Sequence, residues 1–333
     1  MKRILALVVV FGFVLGLGGC AGLFEAEKEV KIGIGMGGAN HPVHRIVQYG
    51  FDKGIEHHCA TKVDATMDEG SAQELMANFK RAIEEDGAQG MLIWSGDDTF
   101  YQFMRSMKEQ HGIEFVVPHF SHEYVDTKNF IAANPHYDDR MMGEMAADML
   151  VEALHAKGIT SGSIGNTQAG AGVTDCAASA AFRHRLNEIA PQFRVTDVVF
   201  EGMTLSAAAT KIVGLIHSYP DIVGAFGTTG GSATAWTKAM EDTGRTDLVV
   251  IGVDFTAGSL DVLENGPITG LMCTPLYDEG YDSVGILHDV ICGKTYNQTK
   301  EDWSIVYDVV GLTKDSDLTP YHDLIHNITE NRS

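Results

Sequence analysis

Val30-Lys31-Ile32-Gly33-Ile34-Gly35-Met36-Gly37-Gly38-Ala39-Asn40-His41-Pro42-Val43-His44 decides how the chain is read. Val30, Ile32, Ile34 and Met36 alternate with small or charged residues, the period of a short strand. Gly37 to His41 form a polar turn, and Pro42 suits the first turn of a helix running to about Glu56. In an open α/β sheet, ligands bind just beyond the carboxyl ends of strands. Asn40, His41 and His44 are therefore the first candidates for ligand contact. Gly33, Gly35 and Gly38 also spell G-x-G-x-x-G, the dinucleotide fingerprint. That motif should follow the strand and open the helix directly. Here Gly33 and Gly35 fall inside the strand, so small residues packed on both faces explain them better.

The same unit repeats along the chain. The expected strands are Lys62–Thr66, Gly90–Trp94, Glu114–Val117, Asn129–Ala133, Ser163–Asn166, Arg194–Phe200, Ile222–Phe226, Leu248–Val253, Ile268–Cys273 and Ile305–Val310. Helices fall between most of them, one opened by the capping box Ser71-Ala72-Gln73-Glu74. Alternation of this kind means parallel sheets covered on both faces, an α/β architecture. About ten such units exceed one compact core, and two Rossmann-like doubly wound lobes are the natural solution.

The chain has 333 residues and a formal charge of −21, with the acidic residues spread through the body. No nucleic acid partner is expected, since a phosphate backbone calls for a basic surface. Residues 1–20 read as an export signal: Lys2 and Arg3, an apolar run from Ile4 to Leu17, then Leu17-Gly18-Gly19-Cys20. L-G-G-C resembles the bacterial lipobox, which implies lipidation of Cys20, a tether over 21–29 and a periplasmic or cell-surface site at a membrane. Export permits disulfides among Cys59, Cys176, Cys273 and Cys292, and their pairing stays open.

Three stretches carry a wider resemblance. They are D-I-V-G-A-F-G-T-T-G-G-S-A (221–233), D-L-V-V-I-G-V-D-F-T-A (247–257) and I-T-G-L-M-C-T-P-L-Y-D-E-G-Y (268–281). Together they resemble the C-terminal half of type I periplasmic solute-binding proteins, the ribose- and galactose-binding family related to the ligand domain of the lac repressor. A-N-H-P-V-H (39–44), G-A-Q-G-M-L-I-W-S-G-D-D (87–98) and A-A-N-P-H-Y-D-D-R-M-M-G (132–143) resemble its first ligand loop, third strand and first crossover. The resemblance implies two lobes joined by three crossover segments near 132–134, 275–278 and 307–310. The N-lobe would be 30–133 with 276–307, the C-lobe 134–275 with 308–320, and 321–333 a polar tail. It also implies a monomer that captures a small neutral polar ligand, a sugar, polyol or sugar-like molecule, by hinge closure. The closed form would be presented to the permease of an ABC transporter or, alternatively, to a membrane sensor kinase.

The family's site residues carry over unevenly. Asp254 matches the aspartate that accepts from sugar hydroxyls, and Asn40 and His41 match the polar pair of the first loop. Val43 and His44 stand where two aromatics are usual, and His119-Phe120 where an aspartate–arginine pair is usual. An arginine is missing near Asp175, Thr229 replaces an asparagine, and Met203 an aromatic. Trp94 and Thr274, at strand ends, complete the expected ligand set. His122 is expected at the surface. His41, His44, His119 and His122 lie on two loops without helical ligand spacing, so no metal is expected. No cofactor is expected and no catalytic motif is present; an exported NAD(P)-dependent oxidoreductase using the early glycines is the enzyme alternative.

Overall fold

The computed structural model describes residues 29–330 except 39–40, 68–70, 97, 171–172 and 203. The export signal and Cys20 lie outside the described residues, as do Asn40 and Met203. The first half runs β1 (Lys31–Met36), α1 (Pro42–His57), β2 (Thr61–Asp64), α2 (Ala72–Glu84), β3 (Gly90–Trp94), α3 (Thr99–His111), β4 (Glu114–Val116), α4 (Tyr124–Thr127) and β5 (Asn134–Tyr137). The second runs α5 (Asp139–Ala156), β6 (Gly162–Gln168), α6 (Val173–Ile189), β7 (Phe193–Phe200), α7 (Leu205–Ser218), β8 (Ile222–Gly227), α8 (Ser232–Thr243), β9 (Val249–Val253), α9 (Ala257–Glu264) and β10 (Gly270–Cys273). The chain ends with α10 (Leu276–Ile291), α11 (Lys300–Trp303), β11 (Ser304–Tyr307), β12 (Val310–Leu312) and α12 (Thr319–Glu330).

Two parallel sheets form the two lobes. One has the order β2-β1-β3-β4, the other β12-β10-β9-β8-β6-β7, with only β12 antiparallel. In each, the chain steps to opposite sides of a central strand, β1 in the first and β6 in the second. Such a reversal opens a crevice at the strands' carboxyl ends. Buried aliphatics fill β1, β3 and β9 on both faces, as helix-covered strands require. A Cβ on Gly33 would lie 2.0 Å from Met91 Sδ, and one on Gly35 1.8 Å from a Phe79 ring carbon. These two glycines thus make room for core side chains inside β1.

Three passages link the sheets. β5 leads from the first sheet to α5, residues 274–275 lead from β10 to α10, and 308–309 lead from β11 to β12. Two of them are tied together, since β5 and β11 pair in parallel from Asn134 with Ser304 to Tyr137 with Tyr307. The expected strand 129–133 is displaced to β5, because the Phe130 and Ile131 N–H groups turn back to the Thr127 carbonyl. The expected strand 305–310 divides into β11 and β12 where the chain changes sheet. The expected polar tail is also corrected. Residues 321–330 belong to α12, whose Tyr321, Leu324, Ile325 and Ile328 pack on the core, Tyr321 edge-on to Phe255 at 4.9 Å.

Each lobe is clamped by a close helix pair, α1 with α10 and α5 with α6. Gly50, Gly280 and Gly143 let backbones touch: an added Cβ would fall 2.3 Å from the Tyr277 carbonyl oxygen, 2.4 Å from that of Val47 and 2.1 Å from that of Ala178. Cys59, Cys176, Cys273 and Cys292 are all free thiols. Among the described residues, no helix is long and apolar enough to cross a membrane.

Candidate functional site

The site is assembled from strand tips. After β1, Gly38 turns the chain at φ +68°, a conformation glycine adopts without strain. His41 caps α1 through its backbone, and His44 Nδ1 lies 2.8 Å from the Gly38 carbonyl. Burial lowers the pKa of both imidazoles, His44 to about 4 with His41 as the next cause, so both are neutral at pH 7. Trp94 ends β3. His119 lies flat on it at 4.3 Å and 27°, while Phe120 and His44 meet the indole edge-on at 5.6 and 6.0 Å. The aromatic surface missing from the first loop is thus rebuilt around Trp94.

His119 has φ +76°, unusual for a bulky residue and of the sort that collects at functional sites. Its N–H bonds the Pro135 carbonyl at 2.7 Å, and its Nδ1 meets Glu279 Oε2 at 2.9 Å. Burial acts to lower the His119 pKa, but Glu279, then Asp254 and Asp139, outweigh it and raise the net value.

From the other lobe, Asp254 follows β9 with φ +61°, a region aspartate tolerates. It is buried and accepts from the Thr274 hydroxyl. Burial raises its pKa against the opposing pull of Thr274 and His119. Beyond β8, the Thr228 hydroxyl donates to Asp175 at 2.7 Å and that of Thr229 to Glu201 at 2.7 Å. Gly230 closes the lobes on one another: a Cβ there would sit 2.1 Å from Val43 Cγ2 and 3.3 Å from Asp254 Oδ2. Beside this contact lies a cavity of about 420 Å³ lined by His41 and Arg45 from one lobe and Glu201, Thr229, Gly230 and Thr256 from the other. The N-terminal ends of α1, α7, α8 and α9 meet there.

The structure therefore brings His41, His44, Trp94, His119, Phe120, Thr229, Asp254 and Thr274 to the facing surfaces of the two lobes. Asp175 stands one step behind, under Thr228. His122 is corrected: its ring is half-buried and bonded to the Tyr101 hydroxyl, and burial holds its pKa down to about 4. Sequence reasoning missed Glu201, Glu279, Asp139 and Tyr137. Glu201 had a usable signal, being the first residue past β7. Among the described residues, no group of three or more His, Cys, Asp or Glu is arranged to hold a metal ion.

A family model described as "Periplasmic binding protein domain" matches residues 126–295, just over half of the chain. The chain belongs to the periplasmic binding protein family. Solved structures share the fold of this binding protein over nearly its whole length. A carbohydrate transporter solute-binding protein from Agrobacterium radiobacter, in complex with D-arabinose, superposes with a TM-score of 0.78 at 17% identity, covering 91% of this chain and 99% of that one. A glucose-galactose binding protein from Geobacillus stearothermophilus gives 0.76 at 15% identity, over 87% and 99%. An ABC transporter solute-binding protein from Agrobacterium vitis with bound D-fucose gives 0.74 at 18%, over 89% and 99%. No curated protein sequence matches the chain.

Burial pushes Asp175 up to about 6, against the bond from Thr228. A carboxyl whose folded pKa is raised stabilises the fold at low pH and loses that contribution as pH rises through the folded value. Asp175→Asn keeps an acceptor for Thr228 and removes the buried charge. Its melting point should exceed that of the parent at pH 8, by roughly 1–2 kcal/mol of stability after allowance for solvent screening. At pH 4 the two should coincide; a variant no more stable at pH 8 would show that Asp175 is well solvated.

Proposed function

We propose that the chain is an extracytoplasmic solute-binding lipoprotein. It captures a small polar ligand, a sugar or sugar-like molecule, between its lobes and presents the closed form to the permease of an ABC transporter. The observation that carries this reading is the convergence of Trp94, His119, Asp254 and Thr229 from two separate sheets on one interlobe surface, closed by Val43 against Gly230. The sugars bound to structures of the same fold support it. Ligand touching both lobes stabilises the closed state relative to the open one. Asn40, His41 and Trp94 act from the lobe of 30–133 with 276–307. Thr229, Asp254 and Thr274 act from the lobe of 134–275 with 308–320. A lipid on Cys20 holds the molecule at the membrane.

Thermal melting against pentoses, hexoses, polyols, nucleosides and nicotinamide cofactors tests the reading. A ligand specific to the native state adds about 2.7 kcal/mol of stability at a hundred times its dissociation constant. Asp254→Asn tolerates the same backbone angle but lacks the charge, and should reduce ligand-dependent stabilisation by about 2 kcal/mol while the unliganded protein, relieved of a buried charge, melts at or above its original temperature. Stabilisation by cofactor alone would replace this reading with an oxidoreductase. Loss of radiolabelled-lipid incorporation in Cys20→Ala tests the anchor.

A further inference from the structure

Around His119 the two lobes bring together three buried carboxylates. Glu279 at the start of α10 is fully buried, and Asp139 and Asp254 are 5% and 6% exposed. His119 is the basic group that acts on Asp139 and Asp254; no lysine or arginine is among their main electrostatic partners. Arg45 lines the outer cavity, and Lys211, exposed, acts on Glu201. Burial raises the pKa of Asp139, to about 6, and that of Asp254, so three acids around one imidazole are costly to ionise together unless a further cation joins them.

Two other observations point to a ligand. Glu279 Oε1 and Asp139 Oδ1 are buried without a hydrogen-bond partner, although Glu279 Oε2 on the same carboxylate meets His119. Unpaired buried acceptors of this kind are rare and costly. The cluster is also walled by aromatic rings: His119 lies flat on Trp94, with Phe120 and Tyr137 each 5.0 Å from the imidazole and edge-on. Rings and carboxylates together favour a cationic group.

We infer that the buried interlobe surface around His119 receives a protonated nitrogen, so that the ligand is an amine-bearing polar molecule such as an amino sugar, its ammonium held among Asp139, Asp254 and Glu279. This rests on the binding-protein reading and narrows its ligand class. Glu279 sits on a helix packed in one lobe, and Asp139 and Asp254 border the sheet of the other. A cation between them draws the lobes together. The outer cavity, with Arg45 and four helix N-termini, is left to the uncharged part of the ligand.

The test uses the full chain in mild detergent at pH 7.5. Melting and calorimetric titration compare glucosamine and galactosamine with their N-acetyl derivatives and parent hexoses. The amines should raise the melting point by about 4 °C or more at saturating concentration, and the neutral compounds should not. Glu279→Gln should weaken amine binding at least tenfold; Asp139→Asn serves the same purpose should the first variant fail to fold. A parent hexose that binds as tightly as its amine overturns the charge assignment and leaves sugar binding standing. Amine binding untouched by either substitution overturns the assigned seat. Absence of stabilisation by the amines overturns the amine assignment, while the binding-protein reading stands or falls on the wider panel of pentoses, polyols and nucleosides.

Discussion

Gly50→Ala is expected to destabilise the protein by about 2–3 kcal/mol, although alanine is the better helix former. Propensity alone would favour alanine by about 1 kcal/mol in a helix interior. The new Cβ, however, would lie 2.3 Å from the Tyr277 carbonyl oxygen and 2.9 Å from the Tyr281 amide nitrogen. Both are backbone atoms of α10, so no rotamer change relieves the overlap and the two helices must separate. Separation opens the interface that also buries Val47, Phe51 and Val284, and packing losses of this kind cost a few kcal/mol. Gly87→Ala is the control. Its Cβ would meet nothing within 4 Å, but its φ of +77° leaves a backbone penalty of about 1 kcal/mol. Urea denaturation measures both. A Gly50 variant as stable as the parent would mean that α1 and α10 are not in backbone contact in solution.

Gly230→Val is expected to abolish high-affinity ligand binding while leaving the unliganded fold intact. Gly230 is not held at positive φ, so valine meets no backbone strain there. Even its Cβ would sit 2.1 Å from Val43 Cγ2, across the gap between lobes. Val43 is buried and β-branched on a helix, with little rotamer freedom to retreat. The overlap exists only when the lobes are shut, so the open form keeps its cores while the closed form is penalised. A penalty of about 2–3 kcal/mol on the closed state weakens apparent affinity roughly 30- to 150-fold. Calorimetric titration of the smaller Gly230→Ala variant, alone and with Val43→Ala, completes the argument. Restored affinity in the double variant assigns the loss to this contact. Equal affinity in all forms would place the closing surface elsewhere.

Much of the architecture was legible in the chain because it is written locally. The apolar periods of β1, β3 and β9, the Ser71 capping box and the polar residues just past each strand need only neighbouring residues to be read. Trp94 at the end of β3 and Asp254 just past β9 could be placed for that reason. Glu279 was not, because it looks like any acid in a first helical turn; its meaning comes from His119, 160 residues away. Asp139 likewise reads as an ordinary N-terminal helix acid until Tyr137 and His119 are seen to act on it. His122 was misplaced because Tyr101, its partner, lies on a helix one turn of the fold earlier. α12 was taken for a tail since its apolar residues are few, and only the groove beside Phe255 shows that they have something to cover.

The position of α10 governs when each lobe can be completed. α1 is in contact with α10 through Val47 and Gly280, so the first lobe to be synthesised lacks a wall until roughly 230 further residues have been made, a long-range closure that slows folding. The sheet of the second lobe, from 162 to 273, has nearly all its strands before then. The early lobe therefore stays pliable while the chain is still growing. A first half that waits on so distant a helix is left unfinished until nearly the whole chain has been made, so the two lobes are completed in the reverse of the order in which they are begun.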